Sequence, residues 1–147
     1  MISPALPILA VEDNDEDFTA LSRAFRKIAL PNPVLRCADG DDALTYLRGY
    51  GKNPDFPLHL PALILLDLNM PGTDGRAVLD VLKSDERLRT IPVIIFSTSA
   101  SNRDIEDCYR LGANSYMTKP IEYAVLEERI RLITRYWLEE SHLPAAA

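Results

Sequence analysis

The apolar run of residues 63–66 constrains the fold more than any other stretch, because Asp67 and a turn-forming segment, residues 69–72, follow it directly. Its apolar residues are consecutive and lack the spacing of an amphipathic helix, so the run predicts a strand that is buried on both faces. A carboxylate at the carboxyl end of such a strand lies where open α/β sheets bind ligands. Asp67 is therefore a candidate metal ligand or nucleophile, and capping of the following turn is the alternative role.

Segments with the character of strands and of helices alternate five times along the chain. The predicted strands are residues 6–11, 34–38, 63–66, 92–96 and 114–118. A segment with helical spacing follows each strand, as Phe18, Leu21 and Phe25 show in the first helix, and the last helix is expected to reach Trp137. Regular alternation of this kind favours a parallel sheet with helices on both faces, joined by right-handed crossovers. The predicted fold class is therefore α/β.

Residues 48–61 interrupt the alternation of strands and helices, since glycine and proline recur throughout them. Such a composition excludes a regular helix or strand and predicts a structured surface loop. We expect Tyr46, Tyr50 and Phe56 to hold this loop against the core. A domain boundary here would leave each half with too small a core, so we predict one domain over residues 1–140. Residues 141–147 are predicted to be a tail, and its final alanines resemble a remnant of cloning.

The overall composition excludes several classes of protein. The 147 residues carry a formal net charge of −6, which disfavours direct binding to nucleic acid, since that depends on Lys and Arg neutralising phosphates. No apolar run is long enough to span a bilayer and the N-terminus lacks the pattern of a secretory signal, so we expect a cytoplasmic protein. Cys37 and Cys108 lie far apart in the sequence, and we expect them to be buried free thiols.

Polar side chains are predicted to gather at the carboxyl edge of the sheet, because all strands of a parallel sheet point the same way. The residues that follow the predicted strands there are Glu12, Asp13, Asp67, Ser97, Thr98 and Lys119. The three carboxylates would repel one another, so we expect a bound cation between them. Ligation by oxygen alone, without a neighbouring His or Cys, favours a hard ion, and Mg²⁺ fits best.

Lys119 and Ser97 indicate that the same site also holds an anion. A site with Mg²⁺, an ammonium group and a hydroxyl group suits a ligand with several anionic oxygens, which points to a phosphoryl group. Asp67 is then the candidate nucleophile that forms an aspartyl phosphate, while Lys119 neutralises charge on the phosphoryl oxygens.

The sequence resembles the receiver domain of two-component response regulators over residues 6–137. The matching residues are Glu12, Asp13, Asp67, the segment 69–72, Ser97, Lys119 and Pro120. The resemblance implies a flavodoxin-like (βα)5 fold with strand order 2-1-3-4-5. It also implies a phosphoacceptor signalling protein rather than an enzyme, one that assists its own phosphotransfer and dephosphorylation.

The resemblance further implies how the matching acidic residues act. Asp67 would be the phosphoacceptor. It would bind Mg²⁺ together with Asp13 and the backbone carbonyl of Asn69, while Glu12 would act nearby through water.

The remaining matches imply a conformational switch. Lys119 would contact the phosphoryl group, and the bond between Lys119 and Pro120 would be cis. Ser97 stands where the family has its switch hydroxyl, and Tyr116 where it has the aromatic residue that turns inward when this hydroxyl moves towards the phosphate.

The resemblance also implies partners. The phosphoryl donor would be a sensor histidine kinase, and the loop 48–61, residues 97–99 and the long last helix are similar to those of stand-alone regulators that serve bacterial and cyanobacterial phytochrome kinases. The fourth helix, fifth strand and fifth helix form the surface through which the family pairs, so we expect a homodimer there; the alternative for its aromatic residues is core packing. Since no output domain follows in the sequence, the signal is expected to pass by protein contact or by further phosphotransfer.

Two other functions compete with this interpretation. The first is a Mg²⁺-dependent phosphohydrolase with an aspartyl-phosphate intermediate. Against it, Asn69 stands two residues after Asp67, where such an enzyme needs a second carboxylate to protonate its leaving group, and the chain has no room for a cap domain. The second is a binding module without chemistry, which the presence of every catalytic-type residue disfavours.

Overall fold

A five-stranded parallel sheet with helices on both faces forms the described part of the chain, residues 5–49 and 60–144 of a computed structural model. The strands are β1 (Ile8–Val11), β2 (Val34–Cys37), β3 (Leu63–Leu66), β4 (Val93–Ser97) and β5 (Ser115–Thr118). The helices are α1 (Asp15–Ile28), α2 (Gly40–Arg48), α3 (Gly75–Ser84), α4 (Asn102–Leu111) and α5 (Tyr123–Thr134), with a π-helical extension, Arg135–Glu140. The strand order is β2-β1-β3-β4-β5, which confirms the predicted α/β fold and its topology.

The core has two halves, one on each face of the sheet. Successive residues of a strand point to opposite faces, so Leu9 and Val11 of β1 pack with α2, α3 and α4, while Ile8 and Ala10 pack with α1 and α5. The three central strands are buried along their whole length, as the unbroken apolar runs predict. This double coverage leaves the ends of the strands as the place where polar groups can approach the sheet.

Side-chain caps fix where the helices begin and therefore where the loops of the carboxyl edge end. The side chains of Asn14, Asp74 and Ser101 accept hydrogen bonds from backbone N–H groups in the first turns of α1, α3 and α4. Asp74, and not its neighbour Thr73, caps α3; the Thr73 hydroxyl donates instead to a carboxylate oxygen of Asp41 at 2.5 Å. Gly112 ends α4 in the left-handed conformation.

Gly75 allows α3 to begin directly against the backbone of Asp67. A Cβ atom at position 75 would lie 2.1 Å from the Asp67 carbonyl oxygen, which no side chain tolerates. The amide of Gly75 also donates to the carbonyl of Leu68 at 2.9 Å. The turn that carries Asp67 is therefore held rigidly between β3 and α3.

The structure corrects the expected isomer of the bond before Pro120 and does not test the expected anchoring of the loop 48–61. The bond between Lys119 and Pro120 is trans rather than cis; trans is the intrinsically favoured isomer of such bonds. Tyr46 is buried. Residues 50–59 of the loop that it was expected to hold, including Tyr50 and Phe56, lie outside the described residues, so the role of all three aromatic residues stays a prediction. No helix within residues 5–49 and 60–144 has the length and apolar character needed to cross a membrane.

The last helix and the two cysteines behave as predicted. Trp137 lies in the π-helical extension of α5 and is half-buried against the core half formed with α1, which favours core packing, the alternative to a partner contact, for this aromatic residue. Cys37 and Cys108 are buried free thiols. Burial, reinforced by the charges of Asp42 and Asp39, raises the pKa of the Cys37 thiol to about 12.

Candidate functional site

The main chain of the site is an extension of the sheet. Beyond the ends of the strands, the amide of Glu12 donates to Cys37 at 3.0 Å, that of Asp67 to Val11 at 3.1 Å, and that of Lys119 to Ser97 at 2.7 Å, in each case to the backbone carbonyl of a neighbouring strand. These bonds bring the ends of β1, β3 and β5 to one edge. The predicted gathering of polar residues at the carboxyl edge is thus built by ordinary sheet hydrogen bonding.

Three of the predicted residues form a compact group of carboxylates. Glu12, Asp13 and Asp67 each place a carboxylate oxygen within 4.8 Å of the other two. Glu12 and Asp67 are only 3% and 6% exposed, and Asp13 is half-buried. Burial raises the pKa of Glu12, the hydrogen bond from Lys119 lowers it and the charge of Asp67 raises it, with a net pKa of about 7. The group is therefore held close together at an electrostatic cost.

Lys119 lies at the centre of the site and binds three carboxylates. Its Nζ lies 2.7 Å from Glu12 Oε1, 2.9 Å from Asp17 Oδ2 and 3.3 Å from Asp67 Oδ2. Burial by itself lowers the pKa of Lys119, but the hydrogen bonds to Glu12 and Asp17 and the charge of Asp67 outweigh it, so the net pKa is raised. The ammonium group is therefore charged at neutral pH. We call these residues the Lys119 cluster: Glu12, Asp13, Asp17, Asp67 and Lys119.

Sequence reasoning missed Asp17. It lies in the first turn of α1, which also contains Asp15 and Glu16. A carboxylate anywhere in a first turn is favoured by the helix dipole, so composition does not distinguish the three. The distinguishing signal is spacing, because Asp17 lies four residues before the buried Leu21 and therefore on the inward side of the helix.

The predicted switch residues meet at a residue that was not predicted. The Ser97 hydroxyl is fully buried, and its oxygen accepts the amide hydrogen of Ser99 at 3.1 Å. The hydroxyl of Tyr116 donates to the backbone carbonyl of Ser99 at 2.7 Å. Ser97 and Tyr116 are therefore linked through the backbone of Ser99.

Ser99 is also tied to α3 and α4. Its hydroxyl donates to Asp104 Oδ2 at 2.5 Å, and Asp104 forms an ion pair with Arg76 of α3. The hydrogen bond from Ser99 holds the pKa of Asp104 below its usual value, with further help from Arg76. We call these residues the Arg76 network: Arg76, Ser99, Asp104 and Tyr116. It fixes the loop between β4 and α4.

The donor set of the Lys119 cluster suits a hard divalent cation. Three carboxylates converge, and no His or Cys of the described residues belongs to the group. Asn69, the fourth predicted ligand, lies with an exposed side chain in the turn after β3, and the role predicted for it involves its backbone carbonyl. The site thus combines a place for a cation with an ammonium group suited to an anion.

The sequence matches the model of the response regulator receiver domain over residues 8–131. The match covers most of the chain and includes every residue of the Lys119 cluster. The chain therefore belongs to the response regulator receiver domain family. Members of this family are signalling proteins that bind a divalent metal ion and receive phosphoryl groups from histidine kinases.

Individual relatives are similar over nearly the whole chain. The probable methanogenesis regulatory protein FilR2 of Methanothrix harundinacea is 38% identical over 143 residues, which cover 95% of this chain and 88% of that protein. The phosphorylated cyanobacterial phytochrome response regulator RcpA has a crystal structure with a TM-score of 0.88 and 38% identity, covering 96% of this chain and 99% of that one.

A relative with a bound metal ion has a structure about as similar to this chain as that of RcpA. The crystal structure of the Mn²⁺-bound form of response regulator Rcp1, a protein of Synechocystis, has a TM-score of 0.85 and 34% identity. It covers 95% of this chain and 99% of that one. The chain is thus homologous to response regulators of the phytochrome type.

Proposed function

We propose that this protein accepts a phosphoryl group on Asp67 from the phosphohistidine of a sensor histidine kinase, in a reaction that requires Mg²⁺. The observation that carries the proposal is the close group of three carboxylates beside one buried lysine. Such a group is destabilising without a ligand, because like charges repel and burial strengthens the repulsion. A cation bound between the carboxylates would relieve this repulsion, and Lys119 would neutralise a bound phosphoryl group.

The residues present fit a magnesium ion. Asp13, Asp67 and the backbone carbonyl of Asn69 would hold it, with Glu12 nearby through water. When bound, the ion neutralises charge that accumulates on the phosphoryl oxygens. The Mn²⁺-bound structure of the related Rcp1 supports a divalent ion at such a site.

Phosphoryl transfer then follows from the placement of Asp67. A carboxylate oxygen of Asp67 attacks the phosphorus atom, the new P–O bond forms, and the P–N bond to the donor imidazole breaks. The imidazole nitrogen keeps the electron pair of that bond and takes a proton from solvent. Lys119, charged and already 3.3 Å from Asp67, donates to a phosphoryl oxygen in the product.

The phosphoryl group is removed from Asp67 by hydrolysis at the same site. A water molecule attacks the phosphorus atom, the bond to the Asp67 oxygen breaks, and inorganic phosphate and the free carboxylate result. We propose that the protein assists this step through Lys119, so that the lifetime of the signal is partly a property of the chain itself.

The proposed switch acts through Ser97 and Tyr116. When the Ser97 hydroxyl turns towards the phosphoryl group, its hydrogen bond from the Ser99 amide is lost. Ser99 is also the acceptor of Tyr116, so this aromatic side chain is released from its hydrogen bond and turns inward. The surface of α4, β5 and α5 changes as a result and transmits the signal.

The proposed donor is a phytochrome histidine kinase, by analogy with the phytochrome response regulator RcpA. Phosphoryl delivery from the kinase's ATP would place the protein in the cytoplasm. We further propose that residues 1–140 act as a single receiver domain, with residues 141–147 as a tail, and that the chain itself contacts neither nucleic acid nor a membrane.

A homodimer through α4, β5 and α5 is supported by apolar side chains exposed on these helices. Tyr109 of α4 is 49% exposed, and Leu132 of α5 and Tyr136 just beyond it are 58% and 57% exposed. Leu132 and Tyr136 are four residues apart and therefore share one face of the helix. Sedimentation tests this directly: a protein that stays monomeric at high micromolar concentration, with and without phosphorylation, contradicts the dimer.

Intact mass spectrometry after incubation with Mg²⁺ and acetyl phosphate tests the phosphoacceptor role. We expect one base-labile phosphoryl adduct on the wild-type protein, none on Asp67→Asn, and an unchanged adduct on the matched control Asp80→Asn, whose side chain is exposed on α3. Omission of Mg²⁺ should abolish the adduct. Continuous release of phosphate from many phosphate esters would instead support the phosphohydrolase.

A further inference from the structure

Lys119 has no unused donor in the unphosphorylated protein. An ammonium group carries three N–H donors, and Nζ of Lys119 lies within bonding distance of three carboxylates. The nearest are Glu12 at 2.7 Å and Asp17 at 2.9 Å, whereas Asp67 is 3.3 Å away. The charge that would stabilise a phosphoryl group on Asp67 is thus held closer to other residues.

Asp17 differs from the other two partners in its position. Its side chain is 42% exposed, against 4% for Glu12 and 8% for Asp67. It lies in the first turn of α1, where its amide is fixed by a hydrogen bond to the Asn14 side chain at 2.9 Å. Asp17 and Lys119 line the same surface cleft, so the carboxylate has solvent into which it can turn when Lys119 leaves it.

We propose that Asp17 is a positioning residue that holds Lys119 away from Asp67 in the unphosphorylated protein and slows its phosphorylation. This inference rests on the proposed function of Asp67. A phosphoryl oxygen on Asp67 needs one donor of Lys119, so one of the three existing bonds must break. The bond to Asp17 is the one that water can replace, since Asp17 is the most exposed partner.

Two physical effects of Asp17 act in the same direction. Its attraction draws the ammonium group away from the phosphoacceptor, and its negative charge adds to the repulsion of an incoming anionic donor. Removal of the charge therefore accelerates phosphorylation. Because the ion pair is partly exposed, its contribution falls in the range of surface salt bridges, which corresponds to an increase in rate of about two- to fivefold.

The test compares initial rates of adduct formation with acetyl phosphate in three variants. We expect Asp17→Asn to be about two- to fivefold faster than wild type, with a smaller difference at high ionic strength because exposed charges are screened. Asp17→Glu keeps the charge and should return the rate towards that of wild type. Glu16→Gln removes the same charge from the same helix turn at an exposed position, and its rate should stay at that of wild type.

A second readout follows the lysine itself in metal-free protein. In NMR spectra the Lys119 ammonium resonance should move in Asp17→Asn and stay in place in Glu16→Gln. A rate for Asp17→Asn equal to or below wild type, or an unmoved resonance, overturns the proposal while leaving the phosphoacceptor role intact. Absence of any adduct on the wild-type protein overturns both.

Discussion

Two groups of charged residues lie at the carboxyl edge of the sheet, and they differ in their balance of charge. The Lys119 cluster has four carboxylates and one ammonium group, two of these carboxylates being almost fully buried. The Arg76 network has one guanidinium group, one carboxylate and two hydroxyl groups, and each charge has its opposite. The first group is incomplete without further ligands, whereas the second is complete by itself.

This difference in charge balance indicates a ligand-binding role for the Lys119 cluster and a structural role for the Arg76 network. An excess of buried negative charge costs free energy that a bound cation would offset, so this arrangement is typical of a binding site. A balanced ion pair with satisfied hydrogen bonds has no such need and serves to hold the β4–α4 loop in one arrangement. In the proposed mechanism, phosphorylation at the first group acts on the second through Ser97, whose hydroxyl oxygen accepts a hydrogen bond from the amide of Ser99.

The largest expected effect that follows from this comparison is stabilisation by Mg²⁺. An ion at one hundred times its dissociation constant raises the free energy of unfolding by about 2.7 kcal/mol. Asp13→Asn, which removes one predicted ligand, should lose most of this gain, and Arg76→Gln should keep it. Denaturant unfolding followed by Trp137 fluorescence measures the effect; equal stabilisation of wild type and Asp13→Asn would place the ion elsewhere.

Removal of one excess carboxylate should stabilise the metal-free protein. We expect Asp13→Asn to raise the free energy of unfolding by about 1–2 kcal/mol in the presence of EDTA, because a like charge beside Glu12 and Asp67 disappears. Asp67→Asn should gain less, since Asp67 also forms an ion pair with Lys119. The exposed Asp80→Asn is the control, and a lower stability of Asp13→Asn would refute the repulsion.

The stability of the metal-free protein should also depend on pH through Glu12. Its pKa is raised from 4.5 to about 7 in the folded protein. Between these values the folded state binds a proton that the unfolded state does not, so the stability contributed by protonated Glu12 is fully present below pH 4.5 and is lost as the pH rises through 7. Glu12→Gln should flatten this part of the curve, and saturating Mg²⁺ should reverse its slope. A Glu12→Gln curve as steep as that of wild type would assign the dependence to another group.

The smallest effect is expected from a substitution in the Arg76 network. Arg76→Gln removes one partner of Asp104 and should loosen the β4–α4 loop without unfolding the protein. Hydrogen exchange at the Ser99 amide, which bonds to Ser97, should become faster, whereas Arg103→Gln on the exposed side of α4 should leave it unchanged. Unchanged exchange in Arg76→Gln would show that the ion pair does not hold the loop.

The fold could be predicted because each helix and strand is specified by residues close together in the sequence. Apolar runs, helical spacing and caps such as Ser101 each specify one element, and parallel alternation limits the topology. The convergence of Glu12, Asp67 and Lys119 followed from the same reasoning, since residues after parallel strands share an edge.

The missed contacts are those that depend on tertiary geometry. Asp17 is one of three acidic residues in the first turn of α1; its spacing from Leu21 marks it as inward-facing, but the packing of that helix is what brings it to Lys119. Ser99 belongs to a hydroxyl-rich stretch in which no residue stands out by type. Its role as the meeting point of Ser97 and Tyr116 comes from the path of the backbone, which the sequence pattern does not specify.

Chemical mapping of the phosphorylated residue is the most direct test of phosphorylation at Asp67. Borohydride reduces an aspartyl phosphate to homoserine, so protein treated with Mg²⁺ and acetyl phosphate, then reduced and digested, reports the site by peptide mass spectrometry. We expect homoserine at position 67 and at no other aspartate, with none in a sample prepared without Mg²⁺. Homoserine at Asp13 or Asp17, or an adduct that resists borohydride, would contradict it.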